Sequence, residues 1–139
     1  MLRTFGAILL GLAAAVAIML ALEYAAMAVF PPPAGLDLQS EEDLARLVES
    51  AGTGKLLSVL LGWCAANFGG AWLAARVAHG HRAVAAYAVG ALMVAGVAIN
   101  VAMLPHPLWT TVAGLALPLP LAWLALRLVA RPRPRPRPD

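Results

Sequence analysis

The stretch from Phe5 to Leu22 holds eighteen residues and no charge. A helix rising 1.5 Å per residue needs about 20 apolar residues to cross a hydrocarbon core of about 30 Å, so such a run constrains the fold more than any other feature. Three further runs of the same kind follow. The four predicted spans are Phe5–Val29, Leu56–Ala78, Ala83–Leu104 and Leu108–Ala130. Charged and polar residues gather between and after them, in segments 31–55 and 76–82 and in the tail 131–139. Across all 139 residues, 62% are hydrophobic and 12% charged, whereas soluble domains carry about 25% charged residues. The pattern predicts an all-α, polytopic membrane protein: one domain of four transmembrane helices in an antiparallel bundle.

The first span is read as a membrane anchor rather than a cleaved signal peptide. Arg3 and "AMA" at Ala26–Ala28 imitate a signal, but the apolar run exceeds the usual h-region of about 7–15 residues. Counting basic residues near the span ends sets the orientation. With both termini inside, Arg3, Arg76, Arg82, Arg127, Arg131, Arg133, Arg135 and Arg137 are cytoplasmic, and only Arg46 and Lys55 are outside. The expected location is therefore a bacterial inner membrane. Abundant Ala, Pro and Leu, with nine arginines to one lysine, point the same way to a GC-rich bacterial source.

Short connections make neighbouring helices antiparallel. His79–Arg82 joins spans two and three, and Pro105–His106–Pro107 joins three and four. The longer loop 31–55 starts with Pro31–Pro33, which stop a helix because proline lacks the N–H and displaces its predecessor from the α region. Ser40–Asp43 ("SEED") then matches a helix start signal, with acids where the helix dipole favours them. Leu44, Leu47, Val48 and Ala51 share one face, which predicts a short amphipathic helix ending near Gly52, lying on the outer membrane surface or capping the bundle.

Helices in lipid associate through close backbone approach at small residues. Two uninterrupted rows at four-residue spacing qualify: Ala13, Ala17, Ala21 and Ala25 in span one, and Ser58, Gly62, Ala66, Gly70, Ala74 and Ala78 in span two. They are the candidate packing surfaces, within the chain or between two copies. In span four, Pro118 and Pro120 cannot bond to the carbonyls of Gly114 and Ala116. A bend is expected there, its freed carbonyls met by Thr110, Thr111 or a neighbouring helix, or else lining a substrate site.

Glu23 is the sharpest polar signal. It lies about 10 Å inside the outer end of its helix, where an ionisable group is costly. Two readings stand: a proton- or cation-binding carboxylate, or a structural carboxyl bonded to Tyr24, Asn100 or His106 or paired with Lys55. Glu23 points away from the alanine row, so both cannot face one neighbour; the cost of charge in lipid turns Glu23 toward the bundle. Asn67 and Asn100 are candidate interhelical hydrogen-bond partners, and His106 is a candidate outer partner for Glu23.

No catalytic, cofactor or metal site is expected. Two histidines at His79 and His81, without nearby acids or thiols, are too few ligands for a metal. Cys64 is a single cysteine, and hydrolase motifs are absent. The tail "RPRPRPRPD" is expected to be an extended arm touching anionic lipid headgroups. The expected partners are the bilayer and either a second copy or another membrane protein, with no nucleic acid.

"PPPAGLD" (Pro31–Asp37), "GGAWLAARVA" (Gly69–Ala78) and "NVAMLPHPLW" (Asn100–Trp109) together resemble a group of small four-helix bacterial membrane proteins of unknown function. The resemblance covers roughly residues 5–130 and implies fold and location only. Length and an acid in the first helix are also similar to small multidrug resistance transporters. Glu23 lies nearer the outer end than in that family, and the long acidic first loop departs from its compact pattern. The functional expectation is a non-enzymatic accessory or interaction protein, with a small oligomeric proton-coupled transporter or channel using Glu23 as the alternative.

Overall fold

The structure, a computed structural model, describes residues 1–35, 37 and 39–130. These form helices α1 (Leu2–Val29), α2 (Glu41–Glu49), α3 (Thr53–Val77), α4 (Arg82–Met103), α5 (Leu108–Ala116) and α6 (Pro118–Ala130), with no strand among the described residues. Four helical stretches are long and apolar enough to cross a membrane: α1, α3, α4 and the pair α5–α6. The Arg-Pro tail expected at 131–139 lies outside the described residues.

The helix ends follow local chemistry. Phe30 closes α1, its N–H donating to the Ala26 carbonyl at 2.8 Å, and Pro31 follows. Ser40 caps α2, with Asp43 N–H pointing at its Oγ from 3.5 Å and three acids in the first turn. α2 ends at Glu49, earlier than expected, and Gly52 becomes the N-cap of α3. α3 thus starts three residues before Leu56 and carries Lys55 in its first turn. Leu104 turns extended ahead of Pro105, and Pro107 is the N-cap of α5. The break in the fourth span is mild: Leu117 stays in the right-handed helical region (φ −76, ψ −29), and its carbonyl accepts from Leu121 N–H at 3.0 Å. Pro118 opens α6, a position where a missing N–H costs no helical bond.

α3 is the central helix, packing against α1, α4, α5 and α6. The tightest core lies away from α2. It is built from Ala7, Ala71, Ala74, Ala75, Ala78, Ala85, Ala86, Ala122 and Ala125, with Val89 the largest side chain among them. Such small side chains let helix backbones approach closely. The closest approach is between α1 and α3: a Cβ on Gly11 would meet the Gly70 carbonyl oxygen at 2.6 Å, and one on Gly70 would meet the Gly11 oxygen at 2.6 Å.

This contact bears on the two small-residue rows. On α1, Ala13, Ala17, Ala21 and Ala25 are exposed, so of the two placements expected for that row the one within the chain is not seen. The α1 residues buried instead are Ala7, Gly11 and Ala15. That ridge continues at the same spacing through Met19 to Glu23, so turning the carboxylate inward turns the alanine row outward. The row on α3 does face inward: Gly62, Ala66, Gly70, Ala74 and Ala78 are buried and Ser58 partly so. Large apolar side chains cover the outside, including Leu9, Leu20, Leu61, Ile99 and Leu119. An apolar exterior over a small-residue core is the reverse of a water-soluble arrangement.

Candidate functional site

Hollows lie at both ends of the bundle, one beneath α2 and a shallower one of about 600 Å³ beside His79, Arg82 and Arg127. The first is a cleft of about 260 Å³. Its floor is the α3 face carrying Lys55, Val59, Gly62 and Trp63, residues spaced to share one side of a helix. Met19, Leu20 and Glu23 of α1 form one wall, and Asn100, Leu104 and His106 form the other. The roof is the apolar side of α2, through Leu44, Leu47 and Val48, with Ala51 beyond it. The side-chain hydrogen bonds of α2 all stay within residues 37–50, so among the described residues apolar contact alone holds the roof to the bundle.

Glu23 and Lys55 meet across the α1–α3 contact, with Nζ donating to Oε1 at 2.6 Å. The Lys55 side chain is 15% exposed and that of Glu23 40%, so the lysine side chain is the more covered of the two. Its long aliphatic stem lets the charge reach the acid from the first turn of α3. Of the partners expected for Glu23, the structure selects Lys55. The pair also borders a second hollow of about 340 Å³ formed with Phe30 and Pro31–Pro33.

His106 tilts against Trp63, with ring centroids 5.6 Å apart. Its Nδ1 lies 3.1 Å from the Leu104 carbonyl. A carbonyl only accepts, so a bond at this contact is donated by Nδ1–H. Asn100 Oδ1 is buried without a partner among the described residues. The structure thus gathers Glu23, Asn100 and His106 at one cleft.

Asn67 is not part of it. Fully buried on α3, it donates from Nδ2 to the Pro118 carbonyl at 2.7 Å and ties α3 to α6 beside the proline break. Thr110, expected to meet a freed carbonyl, is buried with its hydroxyl oxygen unpartnered. Below this level the alanine core closes the bundle. Asn67 and Thr110 are the buried polar residues among those described, and neither is ionisable. The cleft is therefore blind.

At the opposite end, Arg76 stacks over Trp72 at 5.1 Å and Arg127 over Trp123 at 4.7 Å, pairs that hold guanidinium groups beside aromatic rings at helix ends. His79 and His81 are exposed there, and no group of three potential metal ligands occurs among the described residues. Trp63 and the α2 roof were not foreseen as parts of a site. The spacing Lys55–Val59–Gly62–Trp63 was a usable signal for the first; for the second, the apolar face of Leu44, Leu47, Val48 and Ala51 left two placements open, on the membrane surface or over the bundle. Comparison with known protein families, curated proteins and solved structures finds no match for this chain.

Proposed function

We propose that this chain is a multi-pass protein of a bacterial inner membrane, an antiparallel four-helix bundle with both termini in the cytoplasm and α2 on the outer side. It acts without catalysis, as an accessory or interaction protein that binds within the membrane. The observation that carries this reading is the blind cleft: the ionisable pair and the polar groups near it share one chamber, and the bundle beyond is closed by alanines at or near zero exposure. A conduit needs polar groups in succession across the bilayer, and a binding site needs them in one place.

The ion pair supports the same choice. A carboxylate that serves as a proton carrier must exchange its charge, whereas Glu23 already holds a partner at 2.6 Å. The test is reconstitution into sealed vesicles containing a pH-sensitive dye. Proton flux equal to that of protein-free vesicles is expected under an imposed gradient. Flux above that level, lost in Glu23→Gln, would establish the transporter alternative instead.

A further inference from the structure

We propose that the cleft is a lateral binding site for an amphiphile whose headgroup is a primary ammonium. The proposal rests on the reading of this chain as a membrane protein that binds rather than conducts, and it adds the chemistry of the ligand.

The shape sets the route in. α1 and α4 come together where Gly11 faces Val89, a Cβ there lying 3.1 Å from Val89 Cγ2. At the cleft the same two helices are opposite walls, and Leu20 at its edge is 61% exposed. In a bilayer that gap faces hydrocarbon, while α2 covers the aqueous side. A ligand thus arrives from the membrane. The volume is close to the lower end of small-molecule pockets, about 300–1,000 Å³, and suits a headgroup with the first part of one chain. Met19, Leu44, Leu47, Leu56 and Val59 supply the aliphatic lining for that chain.

The polar atoms set the headgroup. Two acceptors at the cleft make no bond among the described residues: Asn100 Oδ1, which is buried, and the Glu23 oxygen that Lys55 does not hold. Lys55 is already engaged by Glu23. A buried acceptor without a donor costs free energy that an incoming N–H recovers. A primary ammonium brings three N–H donors and a positive charge. It complements the carboxylate and the orphaned amide oxygen, and gains further from the face of Trp63. A quaternary ammonium has the charge but no N–H, so Asn100 stays unmatched. An anionic head would have to displace Glu23 from Lys55, the one lysine or arginine among the described residues that line the cleft.

Aminophospholipids and free long-chain amines share this chemistry, and paired probes separate them. The full-length protein in neutral detergent is offered phosphatidylethanolamine, phosphatidylcholine, dodecylamine and dodecyltrimethylammonium, and bound species are read by native mass spectrometry. We expect the primary amine of at least one pair to be retained about tenfold over its trimethylated counterpart. Retention of phosphatidylethanolamine makes the ligand an aminophospholipid; retention of dodecylamine alone makes it a free amine. The preference should fall to about twofold or less in Asn100→Leu. Leu47→Trp, which fills the cleft from the roof without touching the bundle core, should lower retention of both probes. Equal retention of amine and quaternary forms by the wild-type protein, or retention of neither, overturns the proposal. That outcome leaves the non-conducting reading standing, whereas Glu23-dependent proton flux in vesicles removes that reading whatever the lipids do.

Discussion

Gly11 and Gly70 face each other so closely that neither has room for a methyl group: a Cβ on either would lie 2.6 Å from the other's carbonyl oxygen. This mutual contact pins α1 to α3, and with it the register that carries Glu23 to Lys55 three turns farther along α1.

Gly11→Leu or Gly70→Leu should therefore separate the two helices. Forced overpacking of this kind costs about 1–3 kcal/mol or more, and the thermal midpoint in detergent should fall by several degrees. Gly96→Ala, where an added Cβ meets nothing within 4 Å, should stay within about 1 kcal/mol of the parent. Ala17→Leu on the outward face should behave like Gly96→Ala in an isolated monomer. Circular dichroism melts compare all four, and equal behaviour of the buried and outward sites would refute the packing assignment.

Removing the Asn67 side chain should loosen α3 from α6. Asn67→Leu takes the donor from the Pro118 carbonyl and replaces an amide that is fully buried. Interhelical hydrogen bonds in membranes are worth about 0.6–2 kcal/mol. Loss in that range, together with faster proteolysis near Leu117, is the expected result; a more stable variant would show the bond to be dispensable.

The ion pair should respond asymmetrically. The Lys55 side chain is the more covered partner, so Glu23→Gln leaves the less exposed charge unpaired, whereas Lys55→Met leaves the more exposed one. Breaking a fully buried pair costs about 3–5 kcal/mol, and the exposure of Glu23 brings this pair nearer to about 1 kcal/mol. The order expected in unfolding assays is Glu23→Gln least stable, Lys55→Met intermediate, and the double variant close to the parent. Additive losses in the double variant would mean that the two groups do not interact.

Topology is open to direct labelling. In a background with Cys64→Ala, Ser40→Cys and His106→Cys should react with a membrane-impermeant maleimide in intact spheroplasts. Gly80→Cys should react only after permeabilisation. The reverse pattern would invert the orientation derived from eight basic residues on one side against two on the other.

Most of the architecture was legible from residue order. The four long apolar runs, the proline stops at Pro31 and Pro105, and the Ser40 cap each act within one or two turns of chain, so their structural consequences can be read locally. Lys55 is among the partners that the sequence leaves open to Glu23. On α1 the alanine row is exposed, and the side that leads to Glu23 is the one that packs. The ridge in use, Ala7–Gly11–Ala15, is found by stepping back in fours from Glu23 through Met19. The amides divided in a way spacing does not show: Asn100 borders the cleft and Asn67 braces the proline break.

The sequence by itself determined how many helices reach membrane length and, to within a turn, where they stop, because hydropathy and proline stereochemistry are properties of short segments. The tertiary structure alone decided which small residues touch, that Glu23, Lys55, Asn100, Trp63 and His106 share one chamber, and that α2 closes it. Those outcomes depend on the rotation of each helix about its own axis. Rotation is set by the sum of contacts with every neighbour at once.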